Sequence, residues 1–198
     1  MRLTLITPPA VEPVALEEAK AHLRVDVDDD DTLILALIAA AREQAEAFTR
    51  RALITQTWDM ALDCLPGVDE KPIELPKPVL QSVTSITYLD TSGEAQTLAA
   101  DQYQVLTGGG PYAQPGKVVR AYNVSWPSTR SQPDAVTVRF VAGYGDAASD
   151  VPAAIRQAIL MLVGDLYEHR EGIVVGAGAT SLPRAAAAIL APYRILRL

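Results

Sequence analysis

Between positions 30 and 51, apolar residues return every three or four places. Leu33, Ile34, Leu37, Ile38, Ala41, Ala45 and Phe48 fall on one face of an α-helix. A helix with such a stripe must bury it against another element, so this segment dictates a packed core. Asp30 or Asp31 stands where a side chain can accept hydrogen bonds from the free N–H groups of the first turn. Arg50 and Arg51 stand at the carbonyl end, where the helix dipole favours cations. A shorter helix is predicted over 16–24, with Glu17 and Glu18 in its first turn and Leu16, Ala19 and Leu23 on one face.

The pattern changes beyond Ala52. Gln56 to Leu62 alternates, with Trp58, Met60 and Leu62 on one side and Thr57, Asp59 and Ala61 on the other, which is the period of a strand. Further strands are predicted over 82–89, 102–106, 117–121 and 135–141, and Asp90-Thr91-Ser92-Gly93 reads as a turn. Pro66, Pro72, Pro76, Pro78, Pro111, Pro115, Pro127 and Pro133 punctuate this zone and confine most of its strands to short or edge elements. Helical spacing resumes after Asp150-Val151-Pro152, in Ile155, Ile159, Leu162, Val163 and Leu166. Glu171-Gly172 ends that helix, 172–181 is glycine-rich, and a last helix over 183–190 is stopped by Pro192. The expected fold is therefore α+β, a helical framework from the N- and C-terminal segments with an inserted small antiparallel β lobe. Its parts are 1–51, 52–149 and 150–198, within one compact unit.

Several function classes are disfavoured. The net charge of −7 argues against a dedicated nucleic-acid binder, which presents a basic face. It suits a wall that DNA passes without sticking. The single cysteine, Cys64, excludes an intrachain disulfide and a cysteine-rich zinc site, and its apolar setting suggests a buried small hydrophobe. The N-terminal apolar run is too short for a signal peptide, and no stretch is long and apolar enough for a membrane span.

No constellation declares a catalytic, cofactor or metal site. The acidic run from Asp26 through Asp31 lacks the glycine and glutamate of a calcium loop, since Asp31 and Leu37 occupy those places. It reads instead as a solvated loop that caps the following helix. His22 and His169 have no second histidine at metal-ligand spacing. Gly108-Gly109-Gly110 and Gly176-Ala177-Gly178 are not phosphate loops, and Gly143-Tyr144-Gly145 is not a nucleophile elbow. An enzyme has no positive support here. The carboxy-terminal end is more informative. Arg184, Arg194 and Arg197 accompany Tyr193, Ile195, Leu196 and Leu198, a basic and apolar ending in an acidic chain. Two readings stand: a helix end packed on its own core, or a partner-docking segment with arginine and tyrosine anchors.

The order of these segments is distinctive. Glu12-Pro13-Val14-Ala15-Leu16-Glu17-Glu18-Ala19-Lys20-Ala21-His22-Leu23-Arg24 leads to an acidic run and a helix ending in Thr49-Arg50-Arg51-Ala52-Leu53-Ile54-Thr55-Gln56-Thr57-Trp58. Gly143-Tyr144-Gly145, Asp150-Val151-Pro152, Tyr167-Glu168-His169-Arg170-Glu171 and Leu190-Ala191-Pro192-Tyr193-Arg194 follow. Together they resemble the head–tail connector (adaptor) family of long-tailed phages, prophages and gene transfer agents. The resemblance implies a structural subunit made in the bacterial host cytoplasm and placed at the virion neck. Such a subunit forms a ring, typically a dodecamer, beneath the portal protein, extends the channel for double-stranded DNA and offers a platform to the next component, a stopper or tail terminator. It further implies that Arg184, Pro192, Tyr193, Arg194, Ile195, Leu196 and Arg197 dock on the portal. The alternatives are a tail terminator or another neck protein, and a phage-associated metal-dependent nuclease built on the Asp26–Asp31 carboxylates.

Overall fold

The computed structural model describes residues 1–66, 72–169 and 182–196. These fall into two compact units. One comprises Met1–Pro9 and Thr55–Gly143, the other Ala10–Ile54 and Tyr144–Leu198. The first is all β and the second helical, which together make the expected α+β composition.

The β unit holds two antiparallel sheets. β1 (Arg2–Thr7), β2 (Gln56–Leu62), β4 (Leu80–Leu89), β5 (Ala95–Thr97) and β8 (Val136–Ala142) form one sheet, in the order β1-β2-β8-β4-β5. β3 (Ile73–Leu75), β6 (Tyr103–Leu106) and β7 (Gly116–Arg120) form the other, in the order β3-β7-β6. Register explains the large sheet. Met60, Val138 and Ile86 stand opposite one another across three strands and are all fully buried. One residue along, Asp59, Arg139 and Ser85 align on the opposite face. There Arg139 donates two parallel hydrogen bonds of 2.8 Å to the Asp59 carboxylate. A one-residue slip would exchange these faces, so the alternating pattern fixes the pairing. In the small sheet, Ile73, Val118 and Val105 align, with Ile73 and Val118 buried. Gly116 permits the sheet's close approach to Leu80, because a Cβ there would lie 2.2 Å from the leucine Cδ2.

Three features of the β unit depart from the sequence expectations. Arg2–Thr7, expected within the helical part, is a strand, because Leu3 and Leu5 alternate with Thr4 and pair with Met60 and Trp58 far along the chain. β3 and β5 are three-residue strands too short to show periodicity. Cys64 is exposed rather than buried. β2 ends at Leu62 and the chain bends at Asp63 and Cys64, so the alternation that would turn Cys64 inward stops before it.

The helical unit contains α1 (Leu16–Leu23), α2 (Asp31–Thr49), α3 (Ala153–Glu168) and α4 (Arg184–Leu190). Its core is the predicted stripes meeting: Ile34, Ile38, Ala41 and Ala45 of α2 pack with Ile155, Ile159, Leu162 and Val163 of α3, and Ala186 and Leu190 of α4 join them. Each large aliphatic side chain fully buried this way stabilises the unit by ~1.5–3 kcal/mol relative to exposure. α1 and α2 both end on an arginine in the left-handed conformation, Arg24 at φ 58° and Arg50 at φ 61°. After α1, the Val25 N–H returns to the Lys20 carbonyl at 3.0 Å, which satisfies one of the free carbonyls of the last turn.

Candidate functional site: the carboxy-terminal segment and the ends of the long helices

The carboxy-terminal segment begins with α4 and continues into one turn of 3₁₀ helix, Ala191–Tyr193, where Pro192 pre-sets the first turn. Tyr193 is buried in the core of the helical unit. Its carbonyl accepts a 2.6 Å hydrogen bond from Nε of Arg51, a side chain with no more than 1% exposure. Burial lowers the pKa of that guanidinium, while its contacts with Tyr144 and Tyr193 oppose the shift. The Ile195 N–H donates to the Thr49 carbonyl at 3.0 Å, at the end of α2. Arg194 lies over the Phe48 ring at 5.2 Å, a cation–π distance. Beyond these ties Leu196 is 73% exposed.

The sequence-predicted residues therefore separate into two groups. Tyr193 and Ile195 hold the segment to α2, as the packing reading required. Arg184, Pro192, Arg194 and Leu196 are exposed, as a docking reading requires. Arg197 and the 172–181 segment lie outside the described residues. Sequence reasoning missed Arg51 and Phe48 as the partners of this segment. Arg51 had been assigned to the helix dipole, and nothing local indicates a bond to a carbonyl 142 residues away.

Beside the segment lies an open, mainly apolar groove of about 450 Å³, lined by Gln44, Ala47 and Phe48 of α2, Asp165 and Leu166 of α3, and Leu182 and Pro183. Phe48 is shared between the groove and the stacked Arg194.

At the other end of α2 the acidic run is tied down. Lys20, 7% exposed, places its ammonium 2.6 Å from Asp28 and 2.7 Å from Asp31. These bonds raise the lysine pKa and lower that of Asp28. The Tyr167 hydroxyl donates to Asp30. The expected side-chain cap is absent: α2 has no side-chain hydrogen bond at its N-cap, Asp30. Asp30 and Asp31 point instead to Tyr167 and Lys20, whose O–H and N–H groups outcompete the backbone. Asp26 and Asp29 remain exposed. Among the described residues no three His, Cys, Asp or Glu side chains come together as metal ligands, and no helix is long and apolar enough to cross a membrane. His22 and His169 are exposed, and His169 Nδ1 lies 3.0 Å from the Asp165 carbonyl.

A buried ionic cluster braces the middle of α2. Arg42 binds Glu12 at 2.8 Å and Glu46 at 3.2 Å, and Glu46 also accepts the Leu53 N–H at 2.9 Å. Burial raises the Glu12 pKa, against the pull of Arg42. Nearby, Gly145 sits where a Cβ would come within 2.2 Å of an Asp150 oxygen that accepts the Ala147 N–H at 2.9 Å. Part of the Gly143-Tyr144-Gly145 signature thus has a steric origin.

These features define an α+β chain whose carboxy-terminal segment is anchored at Tyr193 and Ile195 and exposed at Leu196. Residues 13–102 match the family model of the phage gp6-like head-tail connector protein, and the chain resembles that family over this stretch. No curated protein matches the chain. Among solved structures, its fold is similar to a chain in the virion of a native gene transfer agent particle. That likeness has a TM-score of 0.77 and 24% identity, and covers 100% of this chain and 97% of the other. A chain in the neck of the empty particle, computed with C6 symmetry, gives a TM-score of 0.78 at the same identity and coverage. One in the neck of the native particle, computed with C12 symmetry, gives 0.67 at 24% identity over 98% of this chain and 97% of that chain.

Proposed function

We propose that this chain is a structural head–tail connector subunit at the neck of a phage-like or gene-transfer-agent particle, where it joins the capsid to the tail. The observation that carries this reading is the extent of the likeness: the fold matches a chain of the gene transfer agent virion and one of its neck end to end, and the family model matches residues 13–102. The subunit works in a ring of copies, for which the C12 symmetry of the related neck suggests twelve. A ring subunit needs two unlike faces, because its contacts are heterologous. The ring sits beneath the portal protein and hands the tail side to a stopper or tail terminator. Double-stranded DNA passes through without sequence-specific binding, as the net charge of −7 favours.

Portal docking is assigned to Arg184, Pro192, Tyr193, Arg194, Ile195, Leu196 and Arg197. Its support is the division of labour within this segment. Tyr193 and Ile195 fix the direction in which it leaves the body, and Leu196 presents apolar surface to a partner beside the exposed arginines. Fixing the root lowers the ordering cost of docking the tip.

The test is negative-stain electron microscopy of the chain with its cognate portal protein, full-length and ending at Ile195, which keeps the Tyr193 anchor. A ring stacked under the portal that is lost on truncation supports both the connector role and the docking tip. A ring that survives truncation removes the docking role from 196–198. Absence of portal association in either form favours a tail terminator or another neck protein.

A further inference from the structure

The outer face of α2 differs in character at its two ends. At the N-terminal end Leu35 is 49% exposed, and the loop that precedes the helix exposes Val27 (60%) and the carboxylates of Asp26, Asp28 and Asp29, Asp28 being paired with Lys20. At the C-terminal end lies the groove of Ala47, Phe48, Leu166 and Leu182. Exposed cations border it: Arg50 caps the helix, Arg184 follows the lining Pro183, and Arg194 stacks on the lining Phe48. Between the ends α2 presents exposed Ala36 and half-buried Ala39 and Ala40, with one exposed carboxylate, Glu43, lying beside Arg42. One end thus exposes apolar side chains near a run of acids, and the other recesses a mainly apolar groove, with Asp165 in its lining, flanked by bases.

We propose that the occupant of this groove is a second copy of the chain, and that the contact is head to tail. Leu35 of one copy seats in the groove at the C-terminal end of the neighbour's α2. The neighbour's Arg50 and Arg184 then face the Asp26–Asp29 carboxylates of the first. Two unlike, complementary patches on one molecule make a heterologous contact, the kind that closes rings. The exposed charges steer the encounter, and the apolar seat supplies most of the affinity. The inference rests on the connector reading and names the surface that would build the ring.

The geometry gives a direct test. Leu35 and Ala47 lie on one helix, and 47 − 35 = 12 residues at ~1.5 Å each is ~18 Å. A disulfide requires Cα atoms within ~7 Å, so cysteines at these two positions cannot bridge within one chain. The full-length chain carrying Leu35→Cys, Ala47→Cys and Cys64→Ser is assembled on its cognate portal protein, oxidised, and run on a non-reducing gel. All three positions are solvent-exposed, so the fold tolerates the changes. The proposal predicts a ladder of covalent multimers that needs both new cysteines. A dimer band from Leu35→Cys alone would indicate a two-fold contact and overturn it. Rings visible by microscopy without a ladder would place the ring contact elsewhere and leave the connector reading standing. If the unsubstituted chain forms no ring on the portal, the connector reading falls and the inference with it.

Discussion

Tyr193→Ala, set beside Leu196→Ala, separates the anchored from the free part of the carboxy-terminal segment. Tyr193 is 6% exposed and belongs to the core of the helical unit, whereas Leu196, three residues on, is 73% exposed. Truncating a buried aromatic to alanine costs ~3–5 kcal/mol, through lost transfer energy and the cavity left behind. The Arg51–Tyr193 bond is made to the backbone carbonyl, so the substitution need not break it and the packing loss dominates. Tyr193 keeps 6% exposure and its backbone bond survives the change, so the lower figure, ~3 kcal/mol, applies. For a chain of this size 1 kcal/mol moves Tm by ~2–4 °C, which gives a fall of ~6–12 °C. Leu196→Ala removes a side chain already in water and should stay within ~0.5 kcal/mol of the parent. Thermal unfolding followed by circular dichroism measures both, and portal co-sedimentation of the folded proteins measures docking. The expectation is that Tyr193→Ala melts early and Leu196→Ala melts normally but binds portal less well. If Tyr193→Ala melts within about 2 °C of the parent, a shift below 1 kcal/mol, the root is not anchored as described.

Three further outcomes follow from the geometry. Replacing Lys20 by methionine leaves Asp28 and Asp31 without their shared cation, and Tm should fall at neutral pH. Because Asp28 is held below the usual carboxylate range in the folded chain, its contribution is present above the ordinary aspartate pKa and lost as pH falls through the folded one. The parent should therefore lose its advantage over the variant on acidification, and a constant difference from pH 7 down to pH 2 would contradict the ion pair. Asp90 follows the same sign: bonds from the Ser92 hydroxyl, the Gln96 amide and the Glu94 and Ser92 N–H groups hold its carboxyl well below the usual range. Asp90→Ala should loosen the β4–β5 turn, seen as faster amide exchange at Ser92 and Glu94. Gly145→Ala forces a Cβ against the Asp150 carboxylate and should cost ~1–3 kcal/mol in denaturant unfolding. Gly109→Ala, which meets nothing within 4 Å, is the matched control.

What the sequence made legible is what local physics decides. The stripe from Leu33 to Phe48 and that from Ile155 to Val163 locate α2 and α3 because a helix repeats within a dozen residues. The alternation in Gln56–Leu62 locates β2 for the same reason. β1 stayed hidden because its partner lies some fifty residues on, and six residues carry too little alternation to stand alone. The carboxylates of Asp28, Asp30 and Asp31 were visible as a cluster, but their partners, Lys20 and Tyr167, are brought to them only by the fold. The candidate site was half legible in the same sense. The composition of the tail showed that it was unusual, while the split between Tyr193 and Leu196 needed the three-dimensional position of Arg51 and the end of α2.

The path of the chain has a consequence for making and dissecting the protein. The backbone leaves the β unit after Pro9, returns at Thr55 and leaves again after Gly143. β1 must therefore wait for β2, and β2 for β8, before the large sheet closes. The helical unit in turn waits for Tyr193. No contiguous fragment contains one whole unit without part of the other. The β unit has all its residues by Gly143, before the helical unit has its own, and pairings so distant in sequence close slowly. Limited proteolysis or simple truncation should yield unstable pieces rather than a tractable module. Isolating the helical unit calls for a new junction that joins Ile54 to Tyr144.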